Sequence, residues 1–190
     1  MNWITFDIET YSPSKSDKID TKELRASVIG AYISWIDEYI CFYEEDAKYF
    51  CDLLKEADLI VGWNHIWFDF GVMQKYSDYD LNKLPSYDIM IEIEKVIGTK
   101  LKLDVVAKAT IGSSKTDSYA IFKEYYWNNE WNKLVDYCMN DVRLTNLIFN
   151  KCLNEESLSY LDLITLRTVK TSKPVVIEKI KIESHLESFF

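Results

Sequence analysis

Trp3-Ile4-Thr5-Phe6-Asp7-Ile8-Glu9-Thr10 is the stretch on which the reading of this chain turns. Its first four residues are aromatic or β-branched, which favours a strand. Strand alternation then puts Asp7 and Glu9 on one face, with Phe6 and Ile8 on the other. Two carboxylates held that close repel each other, and burying them is costly without a positive charge between them. A divalent metal held by hard oxygen ligands answers that repulsion. Two exposed acids on an edge strand are also an ordinary arrangement, so the pair gains meaning only from what lies further along the chain.

Working outward, Tyr11 to Arg25 is polar and aperiodic and reads as a loop. Ser27–Ile36 and Glu38–Tyr43 form two predicted strands of an antiparallel hairpin joined at Asp37. Asp46–Ala57 has helical spacing through Ala47, Phe50, Leu53, Leu54 and Ala57. A short buried strand, Leu59–Val61, ends at Gly62, and a helix is predicted from about Phe68 to Tyr76. Tyr87–Met90 reads as a strand leading into a helix near Ile91–Ile97, followed by a short helix over Leu101–Thr110 that ends near Gly112. Asn129–Cys152 has the clearest helical stripe, formed by Trp131, Leu134, Val135, Cys138, Val142, Thr145 and Ile148, with Trp131 read as packing. Pro174–Ile182 alternates as a final strand. Three strands followed by alternating helices and strands imply an α/β fold, a mixed sheet with helices on its faces.

A chain of 190 residues suits a single domain spanning 1–190 with a sizeable core. Its four cysteines form no CxxC pair, so reduced core thiols and a cytoplasmic setting are expected. The first residues carry acids and lack a basic segment before an apolar run, unlike a signal peptide. The longest uncharged stretches, around Ser27–Ile36 and Leu59–Phe68, are too short to cross a bilayer. The net charge of −9 argues against a broad electrostatic grip on nucleic acid. It allows an enzyme that holds a few terminal nucleotides, because active-site acids account for part of the excess.

Two further acids matter. Asp69 closes Gly62-Trp63-Asn64-His65-Ile66-Trp67-Phe68-Asp69, where it would also serve as a helix cap or dipole partner. Asp141 follows Tyr137 by one helical turn, so the two point the same way; a polar helix face with a surface tyrosine has the same pattern. His65 reads as a packed or hydrogen-bonded loop residue, and position 136, five residues before Asp141, is aspartate rather than histidine.

Taken in order, Phe6-Asp7-Ile8-Glu9-Thr10, Asn64 through Asp69, and Tyr137-x-x-x-Asp141 resemble the three exonuclease motifs of the DEDD (DnaQ-like) superfamily. The tyrosine points to the DEDDy branch, and the Phe-Asp-Ile-Glu-Thr form looks most like the exonuclease domain of family-B DNA polymerases and its stand-alone relatives. The resemblance covers roughly residues 2 to 150. It implies an RNase H-like mixed five-stranded sheet flanked by helices, and release of nucleoside monophosphates from a 3′ end. By the same resemblance Asp7, Glu9, Asp69 and Asp141 hold two Mg²⁺ or Mn²⁺ ions, Tyr137 hydrogen-bonds the attacking water, and Asn64 and Thr10 contact the terminal nucleotide. Such ions lie about 4 Å apart in two-metal sites and stabilise the attacking and leaving oxygens together. With an ordinary pKa of about 10, a tyrosine orients the water rather than deprotonating it.

The aromatic content of 15% invites base stacking, with Tyr11 and Trp67 the favoured positions among rings that are mostly core. Lys115, in Gly112-Ser113-Ser114-Lys115, is a candidate phosphate contact. The leading expectation is a metal-dependent 3′→5′ exonuclease on single-stranded DNA or frayed ends, acting alone or with a polymerase, helicase or other replication or repair protein. A 3′→5′ exoribonuclease is the alternative within the same chemistry, and a non-catalytic RNase H-like binding or scaffold module the alternative outside it. An RNase H-type or resolvase-type endonuclease would lack the Tyr137-x-x-x-Asp141 helix. Residues 158–190 form a C-terminal extension with no recognised motif.

Overall fold

The computed structural model describes residues 1–12, 20–113, 125–162 and 167–171. Lys115 and the predicted strand at Pro174–Ile182 lie outside them. The elements run β1 (Trp3–Tyr11), β2 (Arg25–Ile33), β3 (Glu38–Tyr43), α1 (Ala47–Leu54), β4 (Leu59–Gly62), α2 (Asp69–Met73), β5 (Ser86–Asp88), α3 (Ile89–Ile97), α4 (Leu103–Ile111), α5 (Trp131–Leu153), β6 (Ser159–Asp162) and β7 (Arg167–Lys170). The first five strands form one mixed sheet in the order β3-β2-β1-β4-β5, with β1 antiparallel to β2 and parallel to β4. This is the predicted five-stranded α/β architecture.

Alternation along β1 separates two packed layers. Ile4, Phe6 and Ile8 meet Ile29, Ala31 and Ile33 of β2 and Phe50 and Leu54 of α1 on one face. On the other face, Leu59 and Val61 of β4 pack with Val106 and Ala107 of α4 and with Leu144, Ile148 and Phe149 of α5. A buried polar joint sets the register of α5 over the sheet. Asn146 Oδ1 accepts from Trp3 Nε1 and Thr5 Oγ1, both at 3.1 Å, while its Nδ2 donates to Tyr39 Oη at 3.3 Å. Buried polar groups tolerate few alternative placements, because an unmatched donor or acceptor costs about 1–3 kcal/mol.

Several boundaries differ from the sequence reading. The helix expected to reach Ala57 stops at Leu54, and the one expected over Phe68–Tyr76 is an α-turn to Met73 continued by a 3₁₀ turn at Gln74–Tyr76. Met90 is helical rather than extended, because the Asp88 carboxylate accepts from the N–H groups of Met90 and Ile91 and starts α3 there. Trp131, read as packing, keeps 40% of its surface exposed. Strands β6 and β7, which no sequence pattern predicts, pair antiparallel, and β6 docks on α4, where Thr110 Oγ1 accepts from Ser159 N and donates to Ser159 O, both at 2.9 Å. All four cysteines are free, three of them buried and Cys41 half-buried. Among the described residues, no helix is long and apolar enough to cross a membrane.

Candidate metal centre

The site begins with an absence. Asp7 lies opposite Gly30 in the β1–β2 ladder, so the two share a sheet face, and α5 crosses that face. A Cβ on Gly30 would stand 3.0 Å from Cys138 Sγ, Met139 Sδ and Val142 Cγ2. With hydrogen there instead, the helix comes close enough for Cys138 Sγ to donate to the Asp7 carbonyl at 3.4 Å. Asp141, three residues further along α5, is thereby lowered onto the strand. Carboxylate oxygens of Asp7, Glu9 and Asp141 lie within 4.8 Å of one another, Glu9 and Asp141 buried and Asp7 half-buried. Burial and these three carboxylates push the Cys138 thiol well above its ordinary pKa, so the group beneath the acids is neutral.

A β-bulge follows Glu9. Glu9 pairs with Val28 and Thr10 with Ala26, which leaves Ser27 unpaired in the ladder, and Ser27 Oγ donates to the Glu9 carbonyl at 3.0 Å. Bulges beside functional sites re-aim side chains and end regular pairing. Tyr137 is buried one turn before Asp141, in a cluster with Val28, Leu134 and Cys138, so it is not a surface tyrosine.

Asp69 reaches the same strand by a different route. Pairing of β1 with β4 stops at Thr5, and further along Ile8 N–H donates to Asp69 Oδ1 at 3.1 Å. The carboxylate is therefore fastened to the backbone between Asp7 and Glu9 but does not join the set of three. Burial pushes its pKa up, against the lowering effect of that hydrogen bond.

The loop from Gly62 to Phe68 is held by a residue that the sequence reading assigned only to a strand. Asp88 Oδ1 accepts from Asn64 N at 2.9 Å and Met90 N at 3.1 Å, and Asp88 Oδ2 accepts from Ile66 N at 3.2 Å. One buried carboxylate thus ties the loop bearing the second motif to the start of α3. The detectable signal was an aspartate at a strand end just before a helical run. Asn64 takes a left-handed backbone conformation, φ 63°. Gly62 is required because a Cβ there would lie 2.7 Å from His65 Cβ and Cγ. The His65 ring is fully buried, edge-on to Phe6 and Phe70 at 5.8 and 5.1 Å, as a packed loop residue should be. Burial lowers its pKa to about 3, so its approach to Asp88 Oδ2 at 3.6 Å is not an ion pair near neutral pH.

The remaining candidates are spread around this centre. Thr10 is half-buried just past the bulge. Tyr11 is stacked on Tyr126, with centroids 4.9 Å apart at 16°, and its hydroxyl donates to Glu44 at 2.8 Å. Burial, with Glu44 beside it, raises the Tyr11 pKa to about 12. Trp67 projects from the second-motif loop with 63% of its surface exposed.

In donor chemistry the site fits a hard divalent cation, because three carboxylates converge. Comparison with curated proteins gives no match. Among solved structures, the family B DNA polymerase from the hyperthermophilic archaeon Pyrobaculum calidifontis is similar, with a TM-score of 0.61 at 19% identity over 79% of this chain and 24% of that one. The chain thus spans about a quarter of the polymerase's length, and the likeness is one of fold. A family profile described as the RNase H superfamily matches residues 4–153. With its sheet order and its three converging acids, the chain belongs to the RNase H superfamily, a membership that supports nuclease-type chemistry.

Proposed function

We propose that this chain is a metal-dependent 3′→5′ exonuclease of the DEDDy type, releasing nucleoside monophosphates from single-stranded DNA or frayed 3′ ends. The observation that carries the reading is the convergence of Asp7, Glu9 and Asp141 beneath α5, with Tyr137 buried one turn away. These three acids would hold Mg²⁺ or Mn²⁺, with Asp69, now on the Ile8 N–H, supplying the fourth carboxylate for a second ion. Divalent ions bound there supply Lewis acidity, polarising the phosphoryl group and lowering the pKa of the attacking water.

The chain's own residues supply position. Cys138 and Gly30 set the depth of α5, and Asn146 sets its register, so the Asp141 carboxylate and the Tyr137 hydroxyl are carried by one rigid element. Tyr137, one turn before Asp141 on that element, would orient the attacking water. Asn64 and Thr10 would contact the terminal nucleotide, and exposed Trp67 offers a face to a base. A polymerase, a helicase or another replication or repair protein in the cytoplasm would deliver the end.

The test uses 5′-labelled single-stranded DNA and RNA of one sequence, incubated with the protein and Mn²⁺ or Mg²⁺, with Asp141→Ala as control. The expected result is a metal-dependent ladder shortening from the 3′ end, absent in the variant, while a circular strand stays intact. Stronger cleavage of RNA would make it an exoribonuclease. Cleavage of the circle would replace the reading with an endonuclease, and no cleavage of any strand would leave a binding module.

A further inference from the structure

Beside the acid centre lies a run of rings that the proposed chemistry does not use. It starts at Tyr11, two residues beyond Glu9 on β1. Tyr126 stacks on Tyr11 and packs against the cluster containing Tyr137 and Cys138. Trp127 and Trp131 each meet Tyr126 edge-on, at 5.4 and 5.8 Å, and Tyr43 meets Trp131 at 6.4 Å. The inner end is rigid: Tyr11, Arg25 and Tyr76 all donate to the Glu44 carboxylate, at 2.8, 2.5 and 2.7 Å. The outer end is open, with Trp127 exposed over 72% of its surface, Trp131 over 40% and Tyr43 over 38%. Contiguous exposed aromatic surface of this kind marks an interaction site rather than a random scatter of apolar residues.

We propose that this ring track binds single-stranded nucleic acid by base stacking, holding the nucleotides upstream of the 3′ end. The proposal rests on the exonuclease reading for its polarity. Two observations favour a strand over a protein partner. The track is continuous with the residues around Tyr137, as a path leading to the acids must be. Its rim carries exposed Asn128, Asn129 and Asn132, polar groups suited to sugar and base edges, with Lys133 paired to Glu130 at 2.8 Å beside them. With a charge of −9 the chain has little general hold on phosphates, so a strand on the track would be held through its base faces rather than its backbone. Trp131 precedes Asp141 by ten helical residues, a rise of about 15 Å. At about 3.4 Å per stacked nucleotide that distance corresponds to roughly four nucleotides.

The experiment measures anisotropy of 5′-fluorescein oligo(dT) of two, four, eight and twelve nucleotides, titrated with the full chain in EDTA, where no hydrolysis occurs. Affinity is expected to rise up to about four to six nucleotides and then level. Trp127→Ala and Trp131→Ala should each weaken binding of the eight-mer by about tenfold or more, with Trp127→Phe restoring most of it. Both alanine variants binding as tightly as the parent would overturn the track, as would no binding at any length. So would self-association of the parent in sedimentation that the alanine variants lose while they keep oligonucleotide binding, which would make the rings a contact between copies. A parallel Mn²⁺ incubation of the parent separates the two readings. Ring-dependent binding without 3′ shortening retains the track and removes the exonuclease, whereas shortening with ring-independent binding does the reverse.

Discussion

Gly30 faces Asp7 across the β1–β2 ladder, and the space its missing side chain leaves is filled by Cys138 of α5, whose thiol donates to the Asp7 carbonyl at 3.4 Å. That contact sets how close α5 comes to the sheet, and so how close Asp141 comes to Asp7 and Glu9.

Gly30→Ala tests it. The new methyl would meet three side-chain atoms at 3.0 Å, and although the Met139 thioether end can yield, the short Cys138 and Val142 side chains cannot without moving the helix. Overpacking of this kind costs about 1–3 kcal/mol. Urea denaturation should show that loss, and metal-dependent cleavage should fall further than the remaining folded fraction explains. An unchanged midpoint would mean that α5 is positioned by something else.

Asp7, Glu9 and Asp141 repel one another when no cation is bound, so a divalent ion should stabilise the fold. At one hundred times its Kd the gain is about 2.7 kcal/mol. Melting curves with and without Mn²⁺ should show a clear rise in Tm for the parent and little or none for Asp141→Asn. Equal rises in both proteins would remove this cluster as the metal centre.

Tyr137→Phe deletes a single hydroxyl from a buried ring and should leave both the fold and the Mn²⁺-dependent rise in Tm intact. Under single turnover the rate should drop by about 10²-fold if that hydroxyl orients the water. The parent's pH–rate profile should show no loss near pH 6, since the ordinary tyrosine pKa is about 10. A histidine-like inflection there would contradict the assignment.

His65 should make the protein acid-sensitive. In the fold its pKa is lowered to about 3, whereas in the unfolded chain it titrates at about 6.5. Between those values the unfolded state binds the extra proton, so the stability His65 allows at neutral pH is lost as pH falls through that window. Asp69 and Asp88, both raised by burial, act in the opposite sense above the ordinary carboxylate range. Comparing His65→Phe with the parent isolates the imidazole. Between pH 7 and pH 5 the variant should gain about 2 kcal/mol relative to the parent in urea unfolding. No relative gain would mean that the ring is not held neutral.

What the sequence determined by itself was whatever local geometry dictates. Period-two alternation announced β1 and put Asp7 and Glu9 on one side of it. The 3.6-residue stripe announced α5 and put Tyr137 one turn from Asp141. Asp37 at the hairpin turn and Gly112 at the end of α4 follow from backbone preferences of single residues. The tertiary structure decided the rest, because distance of approach depends on partners far away in the chain. The stripe that includes Trp131 cannot say whether anything covers that ring, and nothing fully does. Asp88 ends β5 as the strand pattern implies, but its hold on the second-motif loop is not legible there, because the N–H groups of Asn64 and Ile66 lie more than twenty residues earlier. Strands β6 and β7 lack the continuous apolar run that marks β4, and they depend on Thr110 of α4 for their place. Asp69 belongs with the other acids in sequence order, yet it rests on the Ile8 N–H, because pairing with β4 stops at Thr5 and leaves that edge of β1 to a side chain.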